Sequence, residues 1–175
     1  PEPCLHHLNV QAGDAVFVPA GAIHALLGDA IVMEIQQTSD ITYRVFDWNR
    51  LGADGQPRPL HIERALDVID FGLIEPAACR PGPVQPVAGV RLQPLCHHLT
   101  FAVDQISLDA GASLRTTCDG STFEIWVAIA GLGELAWIGG ARPLPTLQFT
   151  LLPAALGPFV VRAARPATFL RVYVE

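Results

Sequence analysis

Fifteen glycines and fifteen prolines are spread along 175 residues, and they cut the apolar sequence into short runs. This punctuation restricts the fold more than any other feature. Runs of this length suit strands, and turn signals every ~8–12 residues mark a β-sandwich or barrel. The strand candidates are Ala15–Val18, Ile31–Gln37 and Thr42–Asp47, then Thr100–Leu108, Phe123–Ala130, Glu134–Ile138, Leu147–Leu152, Phe159–Val161 and Thr168–Val174. Ile31, Met33 and Ile35 alternate with Val32, Glu34 and Gln36, which predicts a strand with two unlike faces. Asp54-Gly55 marks a turn. His61 to Phe71 reads as a short helix with Ile62, Ala65, Leu66 and Ile69 on one face, and Gly72 is placed to stop it.

Pro76, Pro81, Pro83 and Pro86 make the next stretch an extended linker. The chain therefore divides into residues 1–75, a linker over 76–92, and 93–175. The last part has about enough strands for a small barrel, whereas the first has too few to close one. A weak internal repeat relates the two: A-V-F-V-P-A-G-A-I-H (Ala15 to His24) echoes F-T-L-L-P-A-A-L-G-P (Phe149 to Pro158). Aligning Pro19 with Pro153 sets His24 opposite Pro158, so the second copy has lost the histidine. The expectation is two related barrels, the first chemically active and represented by its rear portion, the second structural.

Composition removes several function classes. Half of the residues are hydrophobic and 16% are charged, which suits a globular protein. A net charge of −6 disfavours a nucleic-acid surface, which needs clustered cations. No apolar run reaches the ~18–20 residues that cross a bilayer. All eleven cations are arginine, a compositional bias, and the start at Pro1 suggests a fragment or processed product. Cys4, Cys79, Cys96 and Cys118 lack the C-x-x-C spacing of a structural zinc site, and a reducing cytoplasm is the simplest home. Cys4 with His6-His7, and Cys96 with His97-His98, read as packing groups in apolar surroundings.

Chemistry concentrates in V-P-A-G-A-I-H-A-L, Val18 to Leu26, and in E-I-Q-Q-T-S-D-I-T-Y-R-V-F-D-W-N-R, Glu34 to Arg50. The first is a strand entering a Pro-Gly turn that delivers His24, whose neutral imidazole can ligate a divalent metal. The second presents Arg44, a permanent cation suited to phosphate or an oxyanion, unless it pairs with Asp40 or Asp47. Glu34 and Gln36 share a strand face and are candidates for a pocket lining, although polar outward faces are ordinary. His61, Trp48, Trp126 and Trp137 read as structural. No G-x-S-x-G, P-loop or dinucleotide fingerprint is present.

The strings G-D-A-V-F-V-P-A-G-A-I-H-A-L and Glu34 to Arg50, continued by D-G-Q-P-R-P-L-H-I-E-R-A-L-D-V-I (Asp54 to Ile69), resemble the short bacterial type I mannose-6-phosphate isomerases. The part ending in L-L-P-A-A-L-G-P-F-V-V resembles that family's C-terminal barrel more loosely. The resemblance implies an all-β cupin (double-stranded β-helix or jelly-roll) fold, with a partial first barrel, a short helix and a complete second barrel. It also implies a zinc enzyme interconverting mannose 6-phosphate and fructose 6-phosphate through a cis-enediol, acting on a sugar phosphate without nucleic acid or membrane. His24 matches the last zinc ligand of the family's P-A-G-x-x-H turn, and Arg44 the active-site arginine of T-Y-R. The family's upstream Gln, His and Glu ligands have no counterpart in this chain, so alone it is expected to be inactive. The rival expectations are a non-catalytic cupin that binds sugar phosphates or regulates a partner, and, more weakly, a metal oxygenase.

Overall fold

Apolar side chains that alternate along successive strands need a second apolar layer, and residues 90–173 supply both layers themselves. The structure, a computed structural model, describes residues 5–28, 30–39, 41–73, 84 and 86–174, with the backbone of 78 and 79. The chain forms two compact units, 1–78 and 79–175.

The second unit is built from β3 (Val90–His98), β4 (Phe101–Leu108), β5 (Ser113–Cys118), β6 (Glu124–Ala130), β7 (Gly133–Trp137), β8 (Gly140–Leu144), β9 (Phe149–Leu152), β10 (Gly157–Arg162) and β11 (Ala167–Tyr173). They make a five-stranded sheet in the order β3-β4-β11-β6-β9 and a four-stranded sheet in the order β5-β10-β7-β8. Every pairing within these two sheets is antiparallel, and the order alternates distant parts of the chain, the jelly-roll pattern of a cupin barrel. Inner-face residues of both sheets meet in one core. Trp126 is fully buried, its ring edge-on to Phe159 at 5.9 Å and tilted against Phe169 at 6.3 Å. Ile106, Leu108, Leu135, Leu144 and Val161 fill the space around them.

One end of this barrel carries buried charge. Asp104 and Glu124 are each 3% exposed. Arg171 donates to Glu124 and lies 3.7 Å from Asp104, while the indole N–H of Trp126 donates to Glu124 at 2.7 Å. His97 Nε2 approaches Asp104 at 3.0 Å, and the Tyr173 ring lies 4.3 Å from the Arg171 guanidinium carbon. Both carboxylates are thereby paired, the condition on which buried charge is tolerated. Burial, and then Glu124, push the nearby Cys118 thiol up.

The first unit has less regular structure. Its elements are β1 (Ala15–Val16) and α1 (Ile62–Leu66); the two-residue strand β2 (Ala78–Cys79), which pairs with β1, runs across its last residue. The strands expected over Ile31–Gln37 and Thr42–Asp47 do not form, because no neighbouring ladder is present among the described residues to satisfy their backbones. Met33 and Ile35 are half-buried and Ile31 is fully exposed, so the alternation survives only in part. The helix expected from His61 to Phe71 is shorter, ending at Leu66. Only Ala65 of its apolar face is buried, and Gly72 instead takes a turn bond from its N–H to Asp70 at 2.8 Å. The linker expected over 76–92 yields to β3 at Val90, and much of it lies outside the described residues, as do Cys4 and the Cys79 side chain.

Candidate functional site

The turn that presents His24 is closed by the Ala22 N–H, which donates to the Pro19 carbonyl at 3.2 Å. Gly21 sits at φ +86°, and a Cβ there would meet the Val68 carbonyl at 2.8 Å. The Gly21 carbonyl accepts the Asp70 N–H at 3.0 Å, so the stretch after α1 clamps the turn from behind. The second unit shares only the closing bond of this turn: the Leu156 N–H donates to the Pro153 carbonyl at 3.0 Å, but the residues between form a 3-10 turn and the positive-φ glycine, Gly157 at +72°, lies beyond it.

His24 is exposed, and its Nδ1 lies 3.0 Å from the Ala22 carbonyl. A carbonyl only accepts, so Nδ1 carries the proton and Nε2 keeps its lone pair. That is the tautomer a metal-ligating histidine requires when a backbone carbonyl orients it. Glu34 and Gln36 are exposed on the stretch that forms no strand.

Arg44 is more firmly held. Its backbone N–H donates to His61 Nδ1 at 3.1 Å, and its carbonyl accepts the His61 N–H at 2.8 Å. Its Nη1 donates to the Pro59 carbonyl at 3.2 Å, and its Nε lies 3.9 Å from Asp47. Asp47 is 6% exposed and receives both Nε and Nη2 of Arg58, with Arg50 Nη2 at 3.4 Å. The hydrogen bonds from Arg58 hold the Asp47 carboxyl below the ordinary carboxylate range; the charges of Arg58, Arg50 and Arg44 act the same way. Among the described residues no hydrogen bond or ion pair joins His24, Glu34, Gln36 and Arg44 to one another.

Sequence reasoning named Arg44 and offered Asp47 as a possible partner, but it did not single out Arg58 or assign His61 its role. The only signal for them is the order D-W-N-R…P-R-P-L-H, which a turn folds back on itself. That turn runs from Gly52 to Gln56, whose ends are joined by a 2.8 Å bond from the Gly52 N–H to the Gln56 carbonyl.

No family model matches the chain. Among curated proteins, it is 49% identical to the Bacillus subtilis protein named "Probable mannose-6-phosphate isomerase GmuF", over 90% of this chain and 48% of that one. It is 43% identical to the mannose-6-phosphate isomerase of Streptococcus mutans, over 75% of this chain and 40% of that one. The crystal structure of a Bacillus subtilis mannose 6-phosphate isomerase superposes with a TM-score of 0.64 at 25% identity, covering 78% of this chain and 41% of that one. The chain spans about half the length of the curated relatives it matches. In sequence and in fold, this chain is a relative of the mannose-6-phosphate isomerases over about half of their length.

Proposed function

We propose that this chain serves an aldose–ketose isomerase that interconverts mannose 6-phosphate and fructose 6-phosphate in the cytoplasm. The observation that carries this reading is the Arg44 assembly, an arginine fixed by backbone and carboxylate partners in a chain similar to mannose-6-phosphate isomerases.

The reaction moves a proton between C2 and C1 of the open-chain sugar. A general base removes the C2 proton of the aldose as electrons shift onto O1; O1 takes up a proton and O2 gives one up across the cis-enediol, and return of a proton to C1 leaves the C2 carbonyl of the ketose. Arg44 contributes fixed positive charge, stabilising either the oxyanion that develops in this step or the substrate phosphate. Its guanidinium is held by the Pro59 carbonyl and faces Asp47, which would limit the reorganisation needed when charge forms.

The resemblance implies zinc, to which His24 would contribute Nε2. A zinc centre needs three or four protein ligands, and among the described residues no three His, Cys, Asp or Glu side chains converge. These residues do not make a zinc site by themselves, and the steps above use only the chain's own groups. Glu34 and Gln36 would line the sugar pocket, and the chain by itself would be inactive.

The reading is tested by running the isomerisation in deuterated water with the native protein, including any sequence it carries beyond this chain. Deuterium at C1 of the fructose 6-phosphate supports the enediol route, whereas product formed with no solvent exchange at any pH, or no product at all, contradicts it.

A further inference from the structure

Asp47 organises a stretch that is held more tightly than its lack of regular structure suggests. Trp48 and Asn49 both have positive φ, 49° and 55°, and the Arg50 N–H returns to the Asp47 carbonyl at 2.9 Å. Two successive left-handed residues define a tight turn usually built from glycine and asparagine. A tryptophan in that conformation is strained, and strain of this kind persists where surrounding contacts over-determine the backbone. Here the contacts are known. Arg58 grips both carboxylate oxygens of Asp47, and Arg50 approaches the same group at 3.4 Å. His61 clasps the Arg44 backbone from both sides, and its acceptor role at Nδ1 makes the ring the Nε2–H tautomer. The turn from Gly52 to Gln56 brings Arg58 and Pro59 back beside Arg44. Arg58 alone would satisfy a structural carboxylate through its two-bond fork. The carboxylate nevertheless faces Arg44 Nε as well, at 3.9 Å.

We propose that Asp47 is the positioning residue of Arg44: locked by the Arg58 fork, its carboxylate aims the Arg44 guanidinium at the anionic group of the substrate. The functional meaning rests on the catalytic reading of Arg44 given above, while the coupling itself rests on geometry.

Two measurements separate these levels. In the full chain with 15N-labelled arginine, the heteronuclear NOE of the Arg44 Nε–H reports side-chain order. It is expected to be near backbone values in the wild type and to collapse in Asp47→Asn. Arg58→Lys keeps the charge but loses the fork, and it should loosen Arg44 in the same sense if Asp47→Asn does not fold. An Arg44 as rigid in both variants as in the wild type overturns the proposal. In the native protein, Asp47→Asn should lower kcat about 10²-fold, the order expected of a misplaced catalytic group. It should change KM far less and add no further loss to Arg44→Ala. Fully additive losses in the double variant also overturn positioning. Wild-type kcat in Arg44→Ala overturns the catalytic reading instead, and the NOE then decides the coupling alone.

Discussion

At the scale of single residues, charge and backbone conformation carry the account. Asp47 has a folded-state pKa below its unfolded value of ~3.9, so its pairing stabilises the chain above that value. This contribution is lost as pH falls through the lower, folded value. Asp47→Asn should therefore destabilise the first unit at pH 7 and matter less near pH 2, as chemical denaturation at the two pH values will show. Equal losses at both would contradict the ion-pair origin. Gly21→Ala should cost about 1–3 kcal/mol, the range for a residue forced into a sparse backbone region, since its φ is +86° and the new Cβ meets a backbone carbonyl. An unchanged urea midpoint would show that the clamp from Val68 to Asp70 gives way. His24 and Arg44 stand out in the sequence as candidates because each sits in a long, unusual string. Arg58 and the role of His61 do not, because nothing local reveals that a turn at Gly52 to Gln56 returns them to Asp47.

At the scale of elements, what could be read depended on where a strand lies in its sheet. The central strands β4, β6, β7, β10 and β11 were all found, to within two residues at each end. In the barrel the strands overlooked are β3, β5 and β8, each a sheet edge, while the fourth edge, β9, was found. Edge strands tolerate proline and polar residues because one side of their ladder is unpaired. Accordingly β3 holds Pro94 at a bulge, β8 holds Pro143, and β5 reads S-L-R-T-T-C. The reverse error, in the first unit, has the matching cause: Ile31–Gln37 has the pattern of a strand but, among the described residues, no ladder to join. The barrel core offers the plainest test of packing. Phe169 is fully buried against Trp126, so Phe169→Ala should cost about 3–5 kcal/mol in thermal or chemical denaturation. A loss under ~1 kcal/mol would mean that the two sheets do not share this core.

At the scale of the whole chain, the two units differ in how their backbones are satisfied. The second is laced by cross-strand ladders, whereas the first relies on turns and side-chain ties around Asp47, Pro19 and His61. Segments with few ladder bonds open most readily. Brief trypsin treatment should therefore cut after Arg50 and Arg64 well before Arg115, Arg162 or Arg171, which lie in β5, β10 and β11. Cleavage of the barrel at the same rate would contradict this division. The proposed catalytic residues divide in the same direction. Both residues that match the isomerase motifs, His24 and Arg44, fall in the first unit, while the position opposite His24 in the second is Pro158. The most direct test is the rate at which the native protein converts mannose 6-phosphate, compared with its Arg44→Ala variant. The account predicts measurable turnover that falls about 10²–10³-fold in the variant, as when one stabilising donor is removed from an oxyanion. A native protein that binds the sugar phosphate without turning it over, or a variant as fast as the wild type, would contradict it.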